Sequence, residues 1–372
     1  IENMARKTKP KMLICFSGGR TSAYMTDQLL ENYSKQYQFL ICFANTGWEH
    51  PKTLEFVHKC DQRWGGKVVW LEAVTHHLKG VAPTHKIVTF ETASRNQYPF
   101  EEMVKKQGVP NKGYPHCTRD LKEYPIRSYV QSKGWRLGRT VDGEIVLPDY
   151  QTAIGVRADE PKRVHRNITI QNKCYPLVDM FPTDKIDVLN FWEDQEFDLE
   201  LPEHLGNCVG CFKKSERKLM MVMRDEPKAF EFSGRMEADY GHVGSNMIKG
   251  IHVDQPRTMY RNYMTVPSLI QMFKNSEFST ANNTDLSSCG ESCEAFGDEF
   301  MADERDICPN KLSQGAYITH QIRTNKSEVE IITAISSLKQ DGKKVTKAAV
   351  AKIVNKSREQ LSRRYQHLFE AV

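Results

Sequence analysis

Met12-Leu13-Ile14-Cys15-Phe16-Ser17-Gly18-Gly19-Arg20-Thr21-Ser22 runs five apolar residues directly into a glycine pair. A short continuous apolar run closed by turn formers matches a strand buried on both faces. Tyr24, Met25, Leu29 and Leu30 then recur near helical spacing, which predicts a helix after the glycines. Phe39-Leu40-Ile41-Cys42-Phe43 repeats the strand, followed by Asn45-Thr46-Gly47 and a helix from about 52 to 64. Residues 67–72 predict a third strand. Strands alternating with helices imply an α/β fold, a doubly wound and mostly parallel sheet.

Further along, residues 76–115 are polar and rich in turn formers, and read as a partly helical excursion over the sheet edge. Residues 118–131 predict a helix bent or delayed by Pro125, and 151–156 another strand. A helix is expected around 184–192. Residues 216–275 read as helical and irregular, and 276–326 as a linker or metal-clamped loop. The chain divides into a nucleotide-binding domain at 4–200, a cysteine-rich helical and loop region at 201–326, and an all-α basic module at 327–372.

The 372 residues carry 52 Lys+Arg against 47 Asp+Glu, a net charge of +5. Residues 339–372 hold nine basic and three acidic side chains, so that segment is +6 and the remainder −1. The basic excess belongs to one end, which points to nucleic acid there. No run approaches the ~18 apolar residues of a membrane span, and no apolar signal region follows the N-terminus. Ile1-Glu2-Asn3 before Met4 reads as an added remnant. A cytoplasmic location without membrane partners is therefore expected.

Glycines after a buried strand let backbone N–H groups approach an anion, and the helix start adds partial positive charge. Ser17, Thr21 and Ser22 can donate to phosphate oxygens, and Arg20 adds charge. Ten cysteines are present without a secretory signal, so a disulfide framework is not expected. Cys15 and Cys42 fall inside apolar runs and read as core residues. Cys208-Val-Gly-Cys211 and Cys289-Gly-Glu-Ser-Cys293 have the spacing of metal or cluster ligands. Cys174 and Cys308 are left over, either incidental or reactive if a thiolate is stabilised.

Ser17-Gly18-Gly19-Arg20-Thr21-Ser22 resembles the pyrophosphate loop (PP-loop) of ATP pyrophosphatases, usually S-G-G-x-D-S, with Thr21 at the acidic position. The resemblance extends to the 3′-phosphoadenosine 5′-phosphosulfate (PAPS) reductase family of the adenine nucleotide alpha hydrolase-like fold, in its phage-type form. Its segments here are Phe43-Ala44-Asn45-Thr46-Gly47 with Glu49 to Leu54, Cys117-Thr118-Arg119-Asp120-Leu121-Lys122, Gly155-Val156-Arg157-Ala158-Asp159-Glu160 with Arg163, and Gly206 to Ser215. The resemblance implies an ATP-like adenosine nucleotide held by Ser17, Gly18, Gly19, Arg20, Thr21 and Ser22. Asn45, Thr46 and Gly47 would lie beside the adenosine, with Gly155 and Arg163 completing the site. Lys122 and Arg157 would stabilise developing charge. Asp159 and Glu160 would position Mg²⁺ or pair with Arg157 or Arg163.

Similarity to iron–sulfur members, including a subunit of DNA phosphorothioation systems, adds Cys117 to Cys208 and Cys211, with Cys289 or Cys293 as fourth ligand of a 4Fe–4S cluster. The rival is structural Zn²⁺ on Cys208, Cys211, Cys289 and Cys293. The Glu-Cys-Gly-x-His segment of sulfonucleotide reductases is missing. Three readings follow. One is a PP-loop enzyme that adenylates with release of pyrophosphate and supports sulfur modification of nucleic acid, drawing on a sulfur donor protein. The others are a PAPS reductase and a nucleotide-responsive DNA-binding regulator.

In the last module, residues 327–340 have an amphipathic pattern, Thr346 can cap a second helix and Ser357 a third. This spacing predicts a helix-turn-helix. Lys356, Arg358, Gln360, Arg363 and Arg364 would face DNA or, as the lesser alternative, RNA.

Overall fold

The structure is a computed structural model that describes residues 9–244, 246–248, 251–274, 295–296, 330–340, 345–354, 361 and 369. Its centre is β1 (Lys11–Cys15), flanked in parallel by β2 (Gln38–Asn45) and β7 (Tyr150–Ala153). Outside these lie β3 (Val68–Val74) and β4 (Thr84–Val88) on one side and β8 (Lys173–Cys174) on the other. The order is β4-β3-β2-β1-β7-β8, parallel throughout except for β4. This is a largely parallel sheet flanked by helices, as the strand–helix alternation implies.

The continuous apolar strands follow from burial on both faces. Met12 and Ile14 enter one core cluster, while Leu13 and Cys15 enter the other. Ile41 and Phe43 of β2 split from Cys42 and Ala44 in the same way. Helices α1 (Arg20–Tyr33) and α2 (Pro51–Arg63) cover the first face, together with α7 (Lys185–Glu193). Helix α5 (Tyr124–Ser132) covers the second through Ile126, Tyr129 and Val130.

The excursion at 76–115 contains more order than its composition implies: β4 and α3 (Tyr98–Gln107). Strand β4 is an edge strand with exposed polar positions, so it lacks an apolar run. The expected helix around Pro125 is three pieces: α4 (His116–Thr118), a π-helical turn (Arg119–Glu123), and α5 with Pro125 in its first turn. Proline offers no N–H to the carbonyl four residues back, so the ladder widens and then restarts. A hairpin of β5 (Arg139–Val141) and β6 (Glu144–Val146) turns at Asp142-Gly143, both at positive φ.

After a short helix, α6 (Pro176–Asp179), and α7 come α8 (Glu216–Asp225), α9 (Ala229–Tyr240), a two-residue hairpin of β9 (Met247–Ile248) and β10 (Ile251–His252), and α10 (Val266–Lys274). Phe230, Met236 and Leu269 from α9 and α10 join the same apolar cluster as α1 and α2. In the last module, α11 (330–340) and α12 (Lys347–Val354) form their own cluster around Ile331, Ile335, Val350 and Leu361. Lys356, Arg358, Gln360, Arg363 and Arg364 lie outside the described residues, as do Cys289, Cys293 and Cys308. Among the described residues, no helix is long and apolar enough to cross a membrane.

Candidate functional site

Connections leave β1 toward β2 on one side, while β7 joins β1 on the other. The chain order reverses there, which opens a crevice beyond the carboxyl ends of the two strands. Ser17-Gly18-Gly19 emerges from β1 and Gly155-Val156-Arg157 from β7. Both loops meet a cleft of about 230 Å³ lined by Ser17 to Thr21, Arg157, Glu160 and Arg163.

The loop is held from both sides. Gly18 has φ of +81°, and a Cβ on it would lie 3.0 Å from Thr53 and Val57 and 3.2 Å from Phe43. Only glycine takes that turn and that contact without strain. A Cβ on Gly155 would lie 3.1 Å from Ser22 Cα, so the β7 exit presses on the first turn of α1. The Ser17 N–H donates to Ser22 Oγ at 3.1 Å, and Ser22 Oγ donates to Gly19 O at 3.1 Å. Gly19 starts α1 with no side-chain cap, and no acidic residue occupies the first turn.

Arg157 is 7% exposed. Its Nε donates to Asp159 Oδ1 at 2.9 Å, and Nη1 donates to Thr21 Oγ1 at 3.3 Å across the cleft. Glu160, 5% exposed, accepts from the Arg157 backbone N–H at 3.2 Å and from Arg163 Nη1 at 2.5 Å. Asp159 and Glu160 are thus engaged by guanidinium groups, the ion-pair alternative of the sequence reading. Arg20 lines the cleft with its guanidinium already committed: Nε and Nη2 donate to Asp198 at 2.7 Å each, and Nη2 also donates to Leu199 O. This bidentate pair pins residues 198–207 as the opposite wall. Lys52 Nζ, donating to Glu200 O at 3.0 Å, reinforces it.

Asn45, Thr46 and Gly47 do not line this cleft. Asn45 Nδ2 donates to Glu72 and to Ser94 O, and its Oδ1 accepts from the Gly47 N–H. Thr46 donates to Glu49, and its Oγ1 lies 3.4 Å from Cys208 Sγ. Burial pushes the Glu49 carboxyl up, opposed by Lys122 and the Thr46 bonds. Glu49 and Cys208 form a β-bridge, so this segment joins the end of β2 to the cysteine block.

Cys117, Cys208 and Cys211 line a second cavity, of about 10 Å³, with Thr46, Lys122 and Phe212. The sequence reading's three thiols therefore share one place. The donor types suit an iron–sulfur centre. Yet among the described residues no three His, Cys, Asp or Glu side chains stand close enough to hold a metal ion. Lys122, on the π-helical turn, lines this cavity and a third one with Ser17, Cys15 and Cys42. Cys15 and Cys42 are core residues as expected, and burial pushes the Cys42 thiol up. Burial also raises the Cys174 thiol, to about 12, which disfavours the thiolate.

Sequence reasoning missed Lys185 and Glu203, and gave no role to Asn207 and Lys214 within the Gly206 to Ser215 segment. Lys185 and Glu203 line the cleft. Lys214, 3% exposed, donates to Gly206 O and Cys208 O at 2.8 Å each and so holds the turn carrying the first cysteine. One signal for Lys185 was available. Asp184 and Asp187 have capping-box spacing, and both of their side-chain bonds are present, which makes Lys185 the first residue of α7.

No family model matches the chain. No solved structure matches it either. An uncharacterized protein of Methanocaldococcus jannaschii is 22% identical over 266 residues, covering 67% of this chain and 46% of that protein. The uncharacterized nin region protein ORF290 of Escherichia phage lambda is 31% identical over 302 residues, covering 78% of this chain and 97% of that protein. At that identity and coverage, this chain belongs to the family of the phage lambda nin region protein ORF290.

Proposed function

We propose that this chain is a PAPS reductase-like PP-loop enzyme that binds ATP, adenylates an acceptor with release of pyrophosphate, and supports sulfur-related modification of nucleic acid. The observation that carries the reading is the meeting of the Ser17-Gly18-Gly19 loop and the Gly155-Val156-Arg157 loop at one cationic cleft. Backbone N–H groups of the glycine loop and the start of α1 would face the β- and γ-phosphates. An acceptor oxygen attacks the α-phosphorus, the bond from that phosphorus to the bridging oxygen breaks, and pyrophosphate leaves. A sulfur nucleophile then displaces AMP from the adenylated centre. Arg157 would stabilise the charge that develops on the phosphoryl oxygens, and Arg163 would hold Glu160 in register with it.

Cys117, Cys208 and Cys211, with Cys289 or Cys293 as the fourth, are the proposed protein ligands of a 4Fe–4S cluster, with structural Zn²⁺ on Cys208, Cys211, Cys289 and Cys293 as the rival. When bound, a cluster supplies electron transfer or a sulfur-binding iron. Broad absorbance near ~400 nm with bound iron separates the cluster from zinc. The 327–372 module is the proposed nucleic-acid contact, for DNA first and RNA second. Its deletion should abolish salt-dependent duplex binding; undiminished binding by the truncated protein contradicts that assignment.

The decisive experiment is pyrophosphate release from [γ-³²P]ATP with Mg²⁺, with and without duplex DNA. One observation favours a second reading, the nucleotide-responsive regulator: Thr21 replaces the acidic loop residue, and Asp159 is committed to Arg157. ATP binding with no pyrophosphate release under any condition supports the regulator. Sulfite release from PAPS with thioredoxin would instead revive the reductase.

A further inference from the structure

Lys185, the first residue of α7, lines the cleft together with the glycine loop. The backbone beneath it is fixed: the Asp184 cap closes the helix start, and Trp192 Nε1 on the same helix donates to Arg20 O at 3.0 Å. Among the described residues, the ammonium group donates to Glu203 Oε2 at 3.1 Å. Glu203 lies on the opposite wall with its side chain 52% exposed. Its second oxygen accepts from Lys218 Nζ, also at 3.1 Å. An ion pair this exposed stabilises little and yields readily to a stronger anion. Lys218 remains to neutralise Glu203 when Lys185 leaves it. Arg157 and Arg163, by contrast, are both tied to the buried Glu160 three residues away in sequence, and Arg157 also to Asp159.

We infer that Lys185 is the specificity-determining residue of the cleft, a swinging cation that leaves Glu203 to take the distal phosphate of a polyphosphate ligand. This rests on the nucleotide reading for the identity of the whole ligand, but not for the polyphosphate. Lys185 discriminates by chain length: a triphosphate reaches it and a monophosphate does not. Glu203 is the competitor for its charge, so a ligand must offer Lys185 a stronger anion than that carboxylate to draw it over.

The test is calorimetric titration of the full chain with ATP, ADP, AMP and inorganic triphosphate. Lys185→Ala should weaken ATP and triphosphate about tenfold and leave AMP unchanged. Glu203→Gln should tighten ATP about two- to fivefold by freeing Lys185, again without effect on AMP. Equal losses for ATP and AMP, or no loss for either, overturn the inference. Inorganic triphosphate separates the two levels. If it binds in a Lys185-dependent way while ATP gains nothing from its adenosine, the nucleotide reading fails and the role of Lys185 stands. If ATP binds and Lys185→Ala binds it as well, the reading stands and the role of Lys185 falls. If the intact chain binds neither ATP nor triphosphate, both fall.

Discussion

The cleft at the β1–β7 switch and the cysteine cavity lie at the same carboxyl edge of the sheet but are built in opposite ways. The cleft is roomy, about 230 Å³, with a mixed polar and apolar lining and its cations already matched to carboxylates. The cysteine cavity is small and apolar, about 10 Å³, walled by Trp48, Phe100 and Phe212. A roomy cleft with pre-aimed charges can accept an anion by exchanging ion pairs, at little cost in rearrangement. A cavity of about 10 Å³ has room for about one water-sized group. The two are joined by one strand of chain: Asn207 lines the cleft and Cys208 lines the cavity.

The largest expected effect tests whether α7 supports the cleft. Trp192 is 1% exposed, packs edge-on against Phe56 and Phe191, and bonds Arg20 O. Trp192→Ala should cost about 3–5 kcal/mol of stability in urea unfolding. A loss under about 1 kcal/mol would mean that the helix is not anchored through this ring. Next, Arg157→Ala should weaken ATP roughly 100-fold, and Arg157→Lys should recover only part, because a point charge cannot replace the guanidinium fork. Full recovery by lysine would show that charge alone matters.

Thr46→Val separates the two regions. It removes the hydroxyl that donates to buried Glu49 and meets Cys208. The expected cost is about 1–3 kcal/mol of stability, with ATP affinity unchanged within about twofold. A tenfold loss of ATP affinity would return Thr46 to the nucleotide site, where the family resemblance placed it. The smallest effect concerns Asp225, held at about 2 by the Arg224 guanidinium and by His204, on the wall behind Glu203. Its folded value lies below the ordinary 3.8, so its contribution is present above that pH and is lost as pH falls toward 2. For so exposed a pair the contribution stays below about 1 kcal/mol, and Asp225→Asn should flatten the acid limb of the stability curve by that amount. An unchanged acid limb removes Asp225 from the wall's support.

Much of the fold was legible because burial on both faces leaves an unbroken apolar run. Met12 to Phe16 and Phe39 to Phe43 carry that signature, and both are central strands. Strand β4 was not legible, since an edge strand with one solvated side shows no run. Strand β8 pairs with β7 through only two residues, too few for any periodicity. In the site, Gly18, Arg157 and Glu160 could be found from local motifs. Lys185 and Glu203 could not be paired in advance, because 18 positions separate them and nothing local links them.

The sequence by itself determined the strand–helix alternation, the glycine loop after the first strand and the basic excess at one end, since each is a property of neighbouring residues. Tertiary structure alone decided where the side chains point. It committed Arg20 to Asp198, placed Thr46 at the cysteine cavity, and brought Lys185 into the cleft with the loop. Those outcomes depend on which distant carboxylate or carbonyl lies within reach once the helices have packed on the sheet, and a charged side chain follows the partner that best offsets its desolvation.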